Sequence, residues 1–179
     1  MKICVFLSSA EKSDPAHIKA TKELAQAIVH KKHELVYGGT KLGLMAILAD
    51  EVLKLGGKVT GVISKEFDNK DIIHNNLTNL HMAKDMNERI MKQINISDIF
   101  VMLPGGIGTF DEFFKIWTLK KVQKIKKPLA ILNIDKLFDP LIAQIHALSA
   151  KNIIKKSEIE SIDIYNDVAS LFNNYEGMK

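Results

Sequence analysis

Two glycine-rich stretches and two charged side chains carry the chemistry available to this chain. Tyr37-Gly38-Gly39-Thr40-Lys41-Leu42-Gly43-Leu44-Met45 and Leu103-Pro104-Gly105-Gly106-Ile107-Gly108-Thr109-Phe110-Asp111-Glu112 each follow a short apolar run and lead into a longer amphipathic one. Glycines at a strand-to-helix turn let backbone N–H groups approach an anion closely, at the helix end where the dipole is positive. Phosphate suits that geometry. A tight turn alone would also explain a glycine, but two such turns in one chain favour the anion. Neither is a familiar nucleotide fingerprint. The first apolar run is followed by Ser8-Ser9-Ala10 rather than G-x-G-x-x-G, and no G-x-x-x-x-G-K-[ST] occurs. That points to a phosphate-bearing small molecule held in a different way.

Among 25 basic residues only one is Arg, Arg89. A chain this biased toward Lys meets surface needs with Lys, so a retained Arg suggests a task for a planar, always-charged fork. Arg89 opens the helix that feeds the strand before the second glycine turn, with Lys92 three residues on along the same face. Glu88 and Asp85 are alternative structural partners for it. Glu112 has two readings as well. Thr109-Phe110-Asp111-Glu112 is a T-x-x-E capping box, in which Glu112 would return to the cap's backbone N–H. On pattern alone that reading outweighs a catalytic carboxylate. Phe110, Phe113, Phe114 and Trp117 follow at helical spacing, a core or interface stripe.

The elements that must position these residues alternate. Strands are expected at 2–8, 34–37, 59–63, 80–83, 98–103, 129–134 and near 161–164. Helices are expected from Pro15, capped by Asp14; over about 42–55, stopping at Gly56-Gly57; over 86–96, capped by Asp85; and over about 109–122, 137–150 and up to Phe172. A polar loop runs through Asn69, Asn75, Asn76 and Asn79. Unbroken apolar strands alternating with amphipathic helices predict a doubly wound, Rossmann-like α/β fold with a parallel sheet covered on both faces. Such sheets bind ligands beyond the carboxyl ends of their strands.

Composition narrows the function. The 179 residues are 46% hydrophobic, with one Cys and a net charge of +4. That predicts one domain over 1–179 with a full core. It excludes a disulfide scaffold and a cysteine-cluster metal site. No run approaches the ~18 apolar residues of a membrane span, and Met1–Leu7 is too short for a signal peptide. A cytoplasmic protein is expected. The six His show no H-E-x-x-H spacing, so no metal or cofactor is implied. Lys120, Lys121, Lys124, Lys126 and Lys127 could contact nucleic acid, but a solvated helix end explains them better.

With these residues together, the chain resembles the LONELY GUY (LOG) family, also described as possible lysine decarboxylases. Pro104-Gly105-Gly106-Ile107-Gly108-Thr109-Phe110-Asp111-Glu112 matches the family's P-G-G-x-G-T-x-x-E signature, and Gly38-Gly39-Thr40-Lys41-Leu42-Gly43-Leu44-Met45 its G-G-x-x-x-G-L-M turn. Nothing here indicates a pyridoxal phosphate enzyme. The resemblance implies a phosphoribohydrolase that releases free base and ribose 5-phosphate from nucleoside 5′-monophosphates of the cytokinin riboside or AMP type. It implies Arg89 and Glu112 as the catalytic pair. It also implies Gly38, Gly39, Thr40, Gly43, Met86, Gly105, Gly106, Gly108 and Thr109 around phosphate and ribose, and a homodimer. The family's M-H-E-R-K appears here as Met86-Asn87-Glu88-Arg89-Ile90, its C-G-S-S as Phe6-Leu7-Ser8-Ser9, and the Gly after Leu-Met as Ala46. The alternative is a non-catalytic nucleotide-binding or carrier protein on the same scaffold.

Overall fold

In the computed structural model, which describes residues 1–67 and 70–175, the apolar runs become strands of one parallel sheet. β1 (Lys2–Phe6) is buried at every residue after Lys2. α1 (Pro15–His30) begins as the sequence predicts, with the Asp14 carboxylate accepting from Ala16 N and Pro15 in the first turn. Next come β2 (Glu34–Tyr37), α2 (Gly43–Lys54), β3 (Val59–Ser64) and β4 (Asn79–Ala83). α3 (Met86–Ile96) is capped by Asp85, whose Oδ1 accepts from Glu88 N at 2.8 Å. β5 (Ile99–Met102), α4 (Ile107–Lys121), β6 (Leu129–Leu132), α5 (Asp139–Ala150), α6 (Lys156–Ile159), β7 (Asp163–Tyr165) and α7 (Val168–Tyr175) complete the chain.

The sheet order is β4-β3-β2-β1-β5-β6-β7. Period-two alternation then assigns each strand residue to a face. Ile3 and Val5 of β1, and Leu7 just past its end, pack with α1, α2 and α7. Cys4 and Phe6 face the other way, with Val36, Val62, Phe100 and Met102, under Ile90 and Ile94 of α3, Phe113 and Trp117 of α4 and Ile145 of α5. The register pairs Cys4 with Val36 and Phe100, and Phe6 with Met102, so the second face is continuous across the centre. Both faces are covered, as unbroken apolar strands require. The chain winds outward from β1 to β4 and then returns to the other side of β1 to begin β5. That reversal leaves a crevice beyond the carboxyl ends of β1 and β5.

Several boundaries differ from the sequence reading. α4 begins at Ile107, two residues before the expected Thr109, because the chain enters the helix straight from the glycine turn. Ile134 leaves β6 for a 3₁₀ turn over Ile134–Lys136, and the closing helix runs to Tyr175 rather than Phe172. The expected polar loop contains two 3₁₀ turns, Lys65–Phe67 and Lys70–Ile72, and Asn79 opens β4. Asn69 lies outside the described residues. α6 had no counterpart in the sequence reading. Among the described residues, no helix is long and apolar enough to cross a membrane.

Two glycines hold left-handed backbone at the ends of α2. Gly56 closes it at φ +79°, and a Cβ there would meet nothing. Gly43 opens it at φ +52°, and a Cβ there would strike the Ala10 carbonyl and the backbone of Ser9. Gly56→Ala should therefore lose about 1–2 kcal/mol, the cost of left-handed backbone for an L side chain. Gly43→Ala should lose more, since segment 9–10 must also move. Urea unfolding of both variants reads the difference, and equal losses would show that this segment yields freely.

Candidate active site

Arg89 sits in the second turn of α3 and Glu112 in the second turn of α4, the two helices flanking β5. Both side chains are nearly buried, at 6% and 5% exposure. Arg89 Nη1 donates to Glu112 Oε1 at 2.8 Å, and Arg89 Nε donates to the Val62 carbonyl of β3 at 2.9 Å. The planar guanidinium thus donates to two acceptors from two of its nitrogens, a fixed fork geometry that the flexible ammonium of a lysine lacks. Neither sequence-level alternative for Arg89 forms. Asp85 caps α3, and Glu88 Oε2 accepts from Lys84 N.

The predicted capping box is absent too. The N-cap of α4 is Gly106, and no side chain caps it. Thr109 and Glu112 both lie inside the helix and are buried. Starting α4 two residues early turns Glu112 away from the helix end and toward α3. Burial pushes its carboxyl above the ordinary glutamate value; the Arg89 charge and hydrogen bond oppose that push, Asp111 adds to it, and Gln93 opposes it. Lys92 does not join the site: it is exposed. Gln93, fully buried one turn beyond Arg89, takes the inward position instead.

The pair opens onto a cavity of about 440 Å³ at the topological switch point. Its walls are the ends of β1 and β2 and the starts of α2, α3 and α4. Of the residues singled out in the sequence, Gly38, Thr40, Met86, Arg89, Gly106, Gly108, Thr109 and Glu112 line it. Gly39, Gly43 and Gly105 do not, and they serve the turns behind it. Sequence reasoning missed Ile72 and gave no site role to the Leu7–Ala10 segment or to the apolar Leu42, Met45 and Ile107 within the two turns. Segment 7–10 lacks a glycine fingerprint, but its position directly after the central strand was a usable signal. Ile72 is brought over the first turn by backbone bonds from Lys41 N to Ile72 O (2.8 Å) and from His74 N to Gly39 O (3.0 Å). His74 is anchored in turn by Nε2 against Asp50 Oδ1 at 3.0 Å.

The glycines divide by what a side chain would strike. At Gly38 a Cβ would run into Met45 Cε and Arg89 Nη2, so this glycine makes room for the guanidinium. At Gly105 it would meet Thr109. At Gly106 and Gly108 it would meet nothing. Folding places no steric demand for glycine at these two positions, yet both border the cavity. The first turn of α4 has N–H groups without intrahelical acceptors, and the missing side chains leave them open to an anion.

A larger concavity of about 1010 Å³ lies at the opposite, amino end of the strands, between Met1, His33, Asp98 and the 124–128 segment. It contains no glycine turn and no buried ion pair. Lys127 there donates to the Ile94 carbonyl at the end of α3, and Lys120 to the Lys127 carbonyl. Lys121 pairs with Glu158 at 3.4 Å. Three of the five lysines weighed as a nucleic-acid contact thus make bonds within the chain. Among the described residues, no group of three or more His, Cys, Asp or Glu could hold a metal ion.

Comparison with known proteins agrees with the signature turns. Residues 45–175 match the family model described as possible lysine decarboxylase. A cytokinin riboside 5′-monophosphate phosphoribohydrolase of Rhodococcoides fascians is 31% identical over 167 residues, covering 93% of this chain and 84% of the relative. A probable cytokinin riboside 5′-monophosphate phosphoribohydrolase of Oryza sativa subsp. japonica, LOGL1, is 36% identical over 154 residues, covering 86% and 69%. In fold, the chain matches the molybdenum cofactor binding protein of Rippkaea orientalis with a TM-score of 0.72, at 18% identity and with 99% and 96% of the two chains covered. The signature turns, the match over most of the chain and these relatives together make it a member of the LOG, or possible lysine decarboxylase, family.

Proposed function

We propose that this protein is a phosphoribohydrolase that splits the N-glycosidic bond of a nucleoside 5′-monophosphate, yielding free base and ribose 5-phosphate. The observation that carries this reading is the buried Arg89–Glu112 pair facing a cavity bordered by Gly106 and Gly108, where space is left that folding does not need. The names of the relatives support the same reaction class. The phosphate takes the uncapped start of α4, and the ribose lies over Glu112. The base reaches the apolar wall of Leu42, Met45, Ile72 and Ile107.

Breaking the bond between C1′ and the base nitrogen leaves positive charge on the sugar. Glu112 stabilises that charge from within a site of low dielectric. It also orients the water whose hydroxyl joins C1′, while the water's other proton ends on the departing base. Arg89 holds Glu112 and the sugar hydroxyls or phosphate in place, a contribution of positioning. The same reading takes the protein as a cytoplasmic homodimer, with Cys4 a buried free thiol and the half-exposed Phe114 on α4 offered to the second copy.

The test is a panel of AMP, the other common nucleoside monophosphates and a cytokinin riboside monophosphate, scored for free base. Tight binding without base release across the panel would select the carrier reading. For an active protein, Glu112→Gln should retain the fold and lower kcat by about 10²- to 10⁴-fold.

The pH dependence has a defined sign. Carboxylate is the working form, so activity falls as pH drops through the raised value, and the acid limb sits above 4.5. Stability runs the other way. With the folded value raised, the Glu112 contribution is present below its ordinary value and lost as pH climbs through the raised one. Glu112→Gln should flatten both dependences, which rate profiles and urea midpoints across pH 4–8 would read.

Gly108→Ala isolates the anion cradle. A methyl there meets no protein atom and replaces a helical glycine, so the unfolding midpoint should hold or rise. The nucleotide KM should nevertheless rise roughly tenfold, a loss of about 1.4 kcal/mol. An unchanged KM would remove the phosphate from this turn.

A further inference from the structure

The buried face of α3 carries a line of polar side chains where packing alone calls for apolar ones. Arg89, Gln93 and Ser97 follow at four-residue spacing, and all three are buried, between Ile90 and Ile94. Arg89 donates to Glu112 and to the Val62 carbonyl. Gln93 is 0% exposed, yet neither its amide nitrogen nor its amide oxygen closes a hydrogen bond. An unclosed amide in a core is costly, and an unbranched apolar side chain of similar volume would fill the space without that cost. A purely structural residue at this position would therefore be apolar.

Helix geometry places Gln93 one turn from the guanidinium that holds Glu112, on the same inward face. It does not border the cavity, so it approaches from behind the pair. We infer that Gln93 is a positioning residue for Glu112: its amide N–H turns to the carboxylate and fixes its orientation under the ribose when the carboxylate is charged. The inference rests on the reading of Glu112 as the reacting carboxylate. Consistent with it, the Gln93 amide favours the charged form of Glu112. The other groups acting on that carboxylate are Arg89 on α3 and Asp111 on α4, and Cys4 on β1 lies within its field. Burial holds the Cys4 thiol well above its ordinary value, so it stays protonated. Replacing Gln93 leaves all three unchanged.

Two measurements test this. In the first, the intact protein carries ¹⁵N-labelled glutamine and ¹³C-labelled glutamate, and both side chains are followed by NMR from pH 4 to 8. The Gln93 amide should shift with the midpoint of the Glu112 carboxyl carbon. An amide that ignores the Glu112 titration overturns the inference. In the second, Gln93→Met is compared with the unaltered protein on AMP. Its urea midpoint should hold or rise. The acid limb should move up by at least about half a pH unit and kcat should fall roughly tenfold, with KM changed less than twofold. A structural role would move none of these, so an unshifted acid limb in Gln93→Met also overturns the inference. The amide titration needs no turnover, so loss of the hydrolase reading and loss of this contact are separate results.

Discussion

The site depends on one ion pair that the fold takes out of water. A guanidinium and a carboxylate at about 6% and 5% exposure each forfeit hydration, and their attraction repays it only with good geometry and further hydrogen bonds. Arg89 meets both conditions by splitting its donors between Glu112 Oε1 and the Val62 carbonyl. It also needs space, which Gly38 supplies by having no side chain to meet Nη2. Truncating either side chain, as in Arg89→Ala or Glu112→Ala, leaves the other buried without its partner, a loss of order 3–5 kcal/mol. A surface ion pair earns no such attention: Lys19–Glu23 at 3.8 Å, with both side chains exposed, contributes little.

The sheet order makes that pair possible. Strands β2, β3 and β4 are laid down on one side of β1, and β5 returns on the other. The chain segments leaving β1 and β5 are joined beyond the strands by Ser8 N donating to Pro104 O at 3.1 Å. Met45 N in the first turn of α2 donates to Ser8 O at 3.3 Å, which ties the first glycine turn to the same point. Two helix starts without side-chain caps, those of α2 and α4, are thereby aimed into one crevice. α3 delivers Arg89 from β4 at the far edge back across the sheet, and α4 delivers Glu112 from beyond β5. The two residues are 23 apart in the chain, and the crossover makes them neighbours.

Features governed by local chemistry were legible in the sequence. The Asp14–Pro15 start of α1, the Asp85 cap of α3 and the Gly56 stop of α2 all follow from what single residues allow the backbone to do. The two glycine turns were legible for the same reason. The failures came where tertiary contacts overrode a local pattern. T-x-x-E over 109–112 reads as a capping box only if the helix starts at Thr109. Packing of Gly105 against Thr109 and the early start at Ile107 turn those residues inward. Lys92 and Gln93 illustrate the same limit. At i+3 and i+4 from Arg89 both are neighbours on a helical wheel, and only the sheet beneath α3 decides which one is buried. Nothing local marks Gln93, because its meaning comes from a carboxylate on another helix.

The likeness to a molybdenum cofactor binding protein at 18% identity concerns the fold and leaves the reaction open. A binding protein needs the cradle alone: helix starts open to an anion, and room beside them. It has no need of a buried carboxylate whose charge burial opposes. A structure selected for binding would be better served by a neutral group there, since a negative charge near an anionic ligand weakens the complex. Glu112 is kept in a setting where it is expensive, held by the only guanidinium in the chain. The reaction proposed for this protein gives that arrangement a use: cleavage would develop positive charge on the bound sugar, and a carboxylate held there would act most strongly at that moment.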